Sequence, residues 1–381
     1  MKKIKELFQK EAVLCIAVLL AILSSLIVLP DKQYIDYIDF HTLAILFCLM
    51  CVMVGLQKMG LFELIAQKLL SKVKKASHLE EILVLLCFFF SMLITNDVAL
   101  ITFVPFTFTV LKLLGDNQQR KMAIPIVVLQ TIAANLGSML TPIGNPQNLY
   151  LYGKSGISVG AFIQLMLPYT VAALIMLLVC CLLMGRKEKN TVLEITFSKP
   201  VTLEGGTKFL VAYLSLFVLC LLTVAHVLSV WITLAVVLTV QLILDREVLK
   251  RVDYSLLLTF VGFFVFIGNM GRIPAFSEFL QNVVEGNEVI TSVVASQVIS
   301  NVPAALLLSG FTENYTALII GTNLGGLGTL IASMASLISY KYICKESEQG
   351  IIGTKSKYFV SFTVANIIFL AVLMILHVVI P

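Results

Sequence analysis

Two short polar strings interrupt an otherwise oily chain: Ser91-x-x-x-Thr95-Asn96-Asp97 and Ser296-x-x-x-Ser300-Asn301. Each is followed by a second interruption, Asn135-Leu136-Gly137-x-x-x-Thr141-Pro142-Ile143-Gly144-Asn145-Pro146 in one case and Asn323-Leu324-Gly325-x-x-x-Thr329-x-Ile331 in the other. A helix that restarts after such a break points unpaired N–H groups and the positive end of its dipole into the interior. Four such starts are expected, after Asn96, after Asn145, after Asn301 and near Ser333, and together they offer backbone donors to an anion. The C-terminal ends of the preceding half-helices, with the hydroxyls of Ser91, Thr95, Ser296 and Ser300, offer oxygens to a small hard cation such as sodium. Gly137, Gly144 and Gly325 permit close backbone approach, and Pro142 and Pro146 keep the first break from closing into helix.

Asp97 is the sharpest single residue, the one ionisable group expected near mid-membrane depth, where charge is costly and tends to be functional. Such a carboxylate binds a coupling cation or takes up a proton. Its repeat mate is the apolar Val302, so the two halves are chemically unequal. Simpler readings stand beside these: Asn96, Asn301 and Asp97 as helix caps, and Gly144-Asn145-Pro146 as an ordinary kink.

Composition says what must hold these residues. Of 381 residues 59% are apolar and 13% charged, and the mean hydropathy is +0.98, well outside the range of a soluble globule. The expected class is an all-α polytopic membrane protein. The net charge of +5 matters through its placement, and no basic patch with interleaved aromatics points to nucleic acid. The eight cysteines fall mostly in apolar runs, the Cys48-x-x-Cys51 pair included, as small buried hydrophobes do. His41, His226 and His377 sit near expected span ends. An enzyme is disfavoured, because no nucleophile with a base, metal-ligand cluster or phosphate loop is found. Lys2, Lys3, Lys5 and Lys10 before an apolar run look like a signal peptide without a cleavage site, hence a retained first helix.

Nine crossings are expected at about 12–29, 40–57, 122–152 (interrupted), 161–184, 208–228, 230–244, 254–271, 314–343 (interrupted) and 358–380. Segments 80–114 and 289–310 read as re-entrant hairpins around their polar breaks, and 61–75 and 274–286 as interfacial amphipathic helices. With the N-terminus cytoplasmic, 24 of the 27 Lys and Arg fall inside, leaving only Lys32, Lys154 and Arg272 outside. The C-terminus is then outside, and an inner (plasma) membrane location is expected.

The strings recur as a repeat. Asp39-Phe40 matches Asp253-Tyr254, Ser91…Asn96 matches Ser296…Asn301, and Asn135…Ile143 matches Asn323…Ile331 without a gap. The chain thus divides into a first repeat (1–184, hairpin 80–114, broken helix 122–152), a cytoplasmic linker (185–207), an extra helix (208–228) and a second, inverted repeat (229–381, hairpin 289–310, broken helix 314–343). Inverted repeats with paired broken segments point to a secondary transporter with its site at the repeat interface.

At Thr95-Asn96-Asp97-Val98-Ala99-Leu100, Gly137 to Asn148 and Ser300-Asn301 the sequence resembles the ion transporter superfamily of divalent-anion/sodium symporters, citrate transporters, arsenite permeases and one group of sodium/proton antiporters. In the symporter branch each tip reads Ser-Asn-Thr. The resemblance implies cation sites at Ser91, Thr95, Asn96 and at Ser296, Ser300, Asn301, with the asparagines also contacting substrate. Here the third tip residue is Asp97 or Val302, and an acidic residue at that place looks more like the arsenite-permease and antiporter branches. The expected substrate site is Asn96, Asn301, Thr141, Pro142, Gly144, Asn145, Asn323 and Thr329. The expected coupling site is Ser91, Thr95, Asn96, Asp97, Gly137, Ser296, Ser300, Asn301 and Gly325. The expected function is secondary transport of a small anion or oxyanion, coupled to sodium or protons, with no other cofactor and with homodimerisation implied by the family. A sodium/proton antiporter is the first alternative and an ion channel the second.

Overall fold

The computed structural model describes residues 11–73, 75–185, 201–348, 350 and 352–380. The basic arm before Glu11 and most of the linker lie outside the described residues. The first half comprises α1 (Ala12–Ile27), α2 (Gln33–Tyr37), α3 (Phe40–Lys58), α4 (Leu61–Leu70), α5 (Ala76–Ile94), α6 (Asn96–Leu113), α7 (Asp116–Ser138), α8 (Pro146–Ser155) and α9 (Val159–Gly185). Helix α10 (Gly206–Val224) stands between the halves. The second half comprises α11 (Val230–Leu244), α12 (Arg246–Arg251), α13 (Tyr254–Gly271), α14 (Pro274–Val284), α15 (Glu288–Ile299), α16 (Asn301–Leu308), α17 (Tyr315–Gly325), α18 (Met334–Glu348) and α19 (Lys355–Val379). Among the described residues seven helices are long and apolar enough to cross a membrane, and α1, α11 and α15 are shorter apolar helices. The protein is an all-helical, multi-pass membrane protein.

Several boundaries differ from those expected from hydropathy. Helix α7 begins at Asp116 rather than near residue 122, because its polar first turns are helical although they are not oily. Helix α18 likewise runs on to Glu348 through a charged end. The extra helix is 206–224 rather than 208–228, and the chain leaves it through His226, a non-glycine residue at φ 59. Helices α2 and α12 are short and lie between the expected crossings. Helix α12 is started by the Asp245 carboxylate, which accepts from Glu247 N at 3.1 Å, and it ends on Lys250 and Arg251, where cations complement the helix dipole.

The repeat is visible in local geometry. Asp39 caps α3 at φ −79, ψ 83 and Asp253 caps α13 at φ −77, ψ 81, each accepting a backbone N–H three residues on. Contacts between the halves come in reciprocal pairs. Helix α13 packs on α1 and α3 on α11, α8 on α17 and α18 on α7, and α16 on α8 and α6 on α18. Within each half the first hairpin arm lies along the first part of the broken helix, α5 on α7 and α15 on α17.

Glycine makes these two contacts close. A Cβ at Gly137 would strike the Phe88 carbonyl oxygen and the Ser91 hydroxyl, and one at Gly325 would strike Ser296 Oγ at 2.6 Å and Val293 Cα at 3.1 Å. Phe88 and Val293 occupy matched repeat positions, as do Ser91 and Ser296.

Candidate functional site

Each hairpin tip is one residue long. Thr95 separates α5 from α6 at φ 72, ψ 151, and Ser300 separates α15 from α16 at φ 74, ψ 154. That region of backbone space belongs essentially to glycine, so a threonine and a serine held there store strain of order 1–3 kcal/mol each. The surrounding hydrogen bonds show what holds them. Asn96 N donates to Gly144 O at 3.1 Å, and Asn301 N donates to Ala332 O at 2.9 Å, which ties each tip to the break of its own broken helix at matched positions.

The cap expectation is shifted by one residue. Thr95 and Ser300, rather than the asparagines, occupy the cap positions, and Thr95 Oγ1 accepts from Val98 N at 3.5 Å. The two asparagines begin the following helices, and each Oδ1 accepts the next backbone N–H, Asp97 N at 2.9 Å and Val302 N at 3.0 Å. Asn96 keeps its amide free to donate to Asn135 Oδ1 at 3.0 Å.

From there the polar network crosses between the halves. Asn135 lies in the last turn of α7; its Oδ1 also accepts from Ser333 Oγ at 3.0 Å, and its Nδ2 reaches Gly326 O and Ser336 Oγ, both at 3.4 Å. Its repeat mate Asn323 accepts from Asn145 Nδ2 at 3.1 Å and donates to Asn148 Oδ1 and to Ile319 O. Ser333 and Ser336 align with Asn145 and Asn148, so each repeat's first half-helix carries in its last turn an asparagine that bonds the start of the other repeat's second half-helix. All six side chains are buried. A buried polar group without a partner is costly in lipid, so the network defines how the two breaks fit together.

The other expected residues fall around this centre. Thr141 Oγ1 donates to Met92 O and Thr329 Oγ1 donates to Gln297 O at 3.2 Å, again at matched positions, so both threonines tie break to hairpin arm. Ser91 donates to Phe88 O at 2.9 Å and Ser296 to Ser292 O at 2.7 Å. Pro142, Gly144 and Asn145 are buried, with the Asn145 carboxamide capping α8 through Asn148 N. The hydroxyl and carbonyl oxygens beside Gly137 and Gly325 are donors of the kind hard cations take. Among the described residues no three His, Cys, Asp or Glu side chains group as a metal site.

A cavity of about 170 Å³ opens beside the first tip. Thr95, Asp97 and Val98 line it from the tip, Ile143, Asn145 and Pro146 from the break, and the face of α3 from Leu46 to Gln57 from the opposite wall. Arg251, Asp253 and Leu256 complete it from the entrance to α13 in the second half. The carboxylate of Asp97 sits in the first turn of α6, where the helix dipole favours negative charge, and its Oδ1 is buried and accepts no hydrogen bond. The cap is Thr95, so the Asp97 carboxylate is not the group that caps α6.

Sequence reasoning missed Asn148, Ser336, Gln297, Arg251 and Asp253 as members of the site. Gln297 donates to Gly325 O and Leu327 O and accepts from Thr329 N, but its repeat mate is Met92, so the repeat could not flag it. Asn148 and Ser336 lie just beyond the aligned stretches, and carrying the same register on past Ile143 and Ile331 pairs them, so their amide and hydroxyl were an available signal.

A sequence profile of the family described as "Citrate transporter" matches residues 4–317. The chain is 31% identical over 325 residues to an inner membrane protein of Escherichia coli, YbiR, covering 84% of each. It is 32% identical over 326 residues, 86% of each, to an uncharacterized transporter of Methanocaldococcus jannaschii. A silicon efflux transporter of Oryza sativa subsp. japonica is 30% identical over 148 residues, 39% of this chain and 29% of that protein.

Proposed function

The chain belongs to the citrate transporter family, and on that premise we propose that it is a secondary active transporter coupling a small carboxylate or oxyanion to sodium or protons. The observation that carries this reading is Asp97, a carboxylate with a free buried oxygen, placed in an otherwise largely apolar cavity at a hairpin tip. An anion beside an ionised Asp97 is repelled, so the two are accommodated together only when a proton or sodium ion neutralises the carboxylate. That requirement is coupling in its simplest form. The tip offers the substrate the positive end of the α6 dipole, its first N–H groups being taken by Gly144 O, Asn96 Oδ1 and Thr95 Oγ1.

The reciprocal packing of the halves supports alternating access by movement of one set of elements against the other. The cavity reaches Arg251 on the lysine- and arginine-rich face, so the conformation is read as inward-facing, with the N-terminus cytoplasmic and the C-terminus outside the inner membrane. Homodimerisation rests on the family resemblance alone.

Reconstitution tests this. Purified protein, screened by thermal shift against citrate, succinate, sulfate, phosphate and arsenite, is placed in liposomes and labelled solute uptake is followed with and without sodium and proton gradients. Uptake driven by either gradient is expected. Uptake indifferent to both would defeat the coupling reading, and a unitary conductance would make the protein a channel.

A second reading has its own support. The cavity holds two carboxylates, Asp97 and Asp253, against one cation, Arg251, a balance that suits a cation as cargo. Sodium–proton exchange without any anion movement in the same liposomes would establish that antiport reading over the first.

A further inference from the structure

We propose that Arg251 is the specificity-determining residue for the charged substrate, taking its carboxylate or oxyanion group at the cavity mouth; this rests on the anion-transport reading. Arg251 is the one cationic side chain among the residues that line the cavity. It is exposed, and among the described residues it appears in no ion pair, whereas nearby Lys58 is committed to Asp245 at 2.6 Å. Among the described residues the guanidinium is thus without an ion-pair partner, and it lines the same cavity as Asp97. A planar fork of N–H donors matches a carboxylate or oxyanion in two parallel bonds, which a lysine cannot reproduce.

The repeat sharpens the argument. Aligning Asp39 with Asp253 places Tyr37 opposite Arg251, and Tyr37 is occupied by Arg272 Nη1 at 3.1 Å. The frame around the site is built from positions the halves share: the aspartate caps, the tip asparagines and the crossing network. Of the three charged residues that line the cavity, Asp253 is one of the shared caps, and the other two stand at positions the halves do not share, Asp97 against Val302 and Arg251 against Tyr37. Both unshared charges face one cavity, one from each half, at its inner end and at its mouth. In the proposed sequence Arg251 offsets the field of Asp97 and Asp253 for an arriving anion, and Asp97 is neutralised by the coupling ion.

Liposomes holding wild type, R251Q, R251K and, as a control on the same short helix, K250Q are assayed for uptake of labelled citrate and of labelled arsenous acid, which is uncharged at neutral pH. Monodispersity and melting temperature establish that each variant is folded, and R251K keeps the question answerable if R251Q is not. Removing a charge-assisted hydrogen bond predicts a KM for citrate raised about tenfold or more in R251Q, with Vmax held within about twofold. R251K is expected in between, K250Q at the wild-type value, and arsenous acid uptake unchanged in all. An unchanged citrate KM in R251Q overturns the assignment, as does an equal loss for both solutes. Wild type that carries arsenous acid but not citrate overturns it while leaving the transporter reading intact. Gradient-coupled movement of neither solute, nor of succinate, sulfate or phosphate, defeats the proposed function and the assignment together.

Discussion

At Thr95 and at Ser300 the chain takes up nearly the same strained backbone, and at both the following asparagine donates its N–H to the carbonyl of a matched residue in the neighbouring break. One residue further on the two tips part. Asp97 turns a carboxylate toward a cavity, and Val302 is a buried hydrophobe packed in the core. The shared geometry teaches that the tips are held as a pair by the fold. The difference puts the carboxylate on one side of the pair, and the cavity lies on that side.

The strongest way to break this comparison is to remove the difference. Asp97→Asn is expected to insert and fold normally, to lower gradient-driven uptake by more than about tenfold, and to flatten its pH dependence. In wild type a proton-coupled uptake falls as the pH on the proton-supplying side rises, because the neutral carboxyl becomes scarce; Asn cannot titrate. A liposome pH series on both proteins checks this, and equal profiles would remove Asp97 from the coupling. Introducing Asp at Val302 is not expected to rescue the variant, since that side chain is packed in the core.

Stability should follow the shared frame. Gly137→Ala drives a methyl into the Phe88 carbonyl, whereas Gly325→Ala meets chiefly the Ser296 side chain, which has more freedom to move. Overpacking of this kind costs about 1–3 kcal/mol, with Gly137 at the upper end. Melting temperatures in detergent should therefore fall for both and further for Gly137→Ala; the reverse order would contradict the close approach. A double-mutant cycle on Asn145 and Asn323 should show a coupling of about 0.6–1.7 kcal/mol, the range for interhelical hydrogen bonds in membranes. The matched cycle on Ser333 and Asn135 should fall in the same range.

The smallest effect expected is at the tips. Ser300→Gly relieves backbone strain and, because the Ser300 hydroxyl makes only a 3.5 Å contact to Ala332 O, should raise the melting temperature by a stabilisation of about 1 kcal/mol. Thr95→Gly relieves the same strain but also removes a group from the cavity wall, so it should stabilise while altering transport. A stabilised Thr95→Gly with unaltered transport would remove Thr95 from the site.

Much of the architecture was legible in the sequence for a physical reason. Lipid tolerates no unpaired backbone, so polar breaks in apolar runs at Thr95 to Asp97 and at Ser300 to Asn301 had to be buried junctions, and their recurrence made a repeat. Boundaries were less legible where helix continues into polar sequence, as at Asp116 to Lys121 and at Lys341 to Glu348. Hydropathy measures oiliness, whereas the helix is held by backbone bonds that polar residues also make.

The sequence by itself determined that this is a multi-pass membrane protein with two matched interruptions per half, and that Asp97 breaks the match. The tertiary structure decided which break meets which. Asn135 bonds Ser333 and Ser336, and Asn323 bonds Asn145 and Asn148, pairings that no spacing along the chain encodes, because amides find partners across helices wherever burial leaves them no water. It also decided that Arg251, in the sequence one of three basic residues between two expected crossings, lines the same cavity as Asp97.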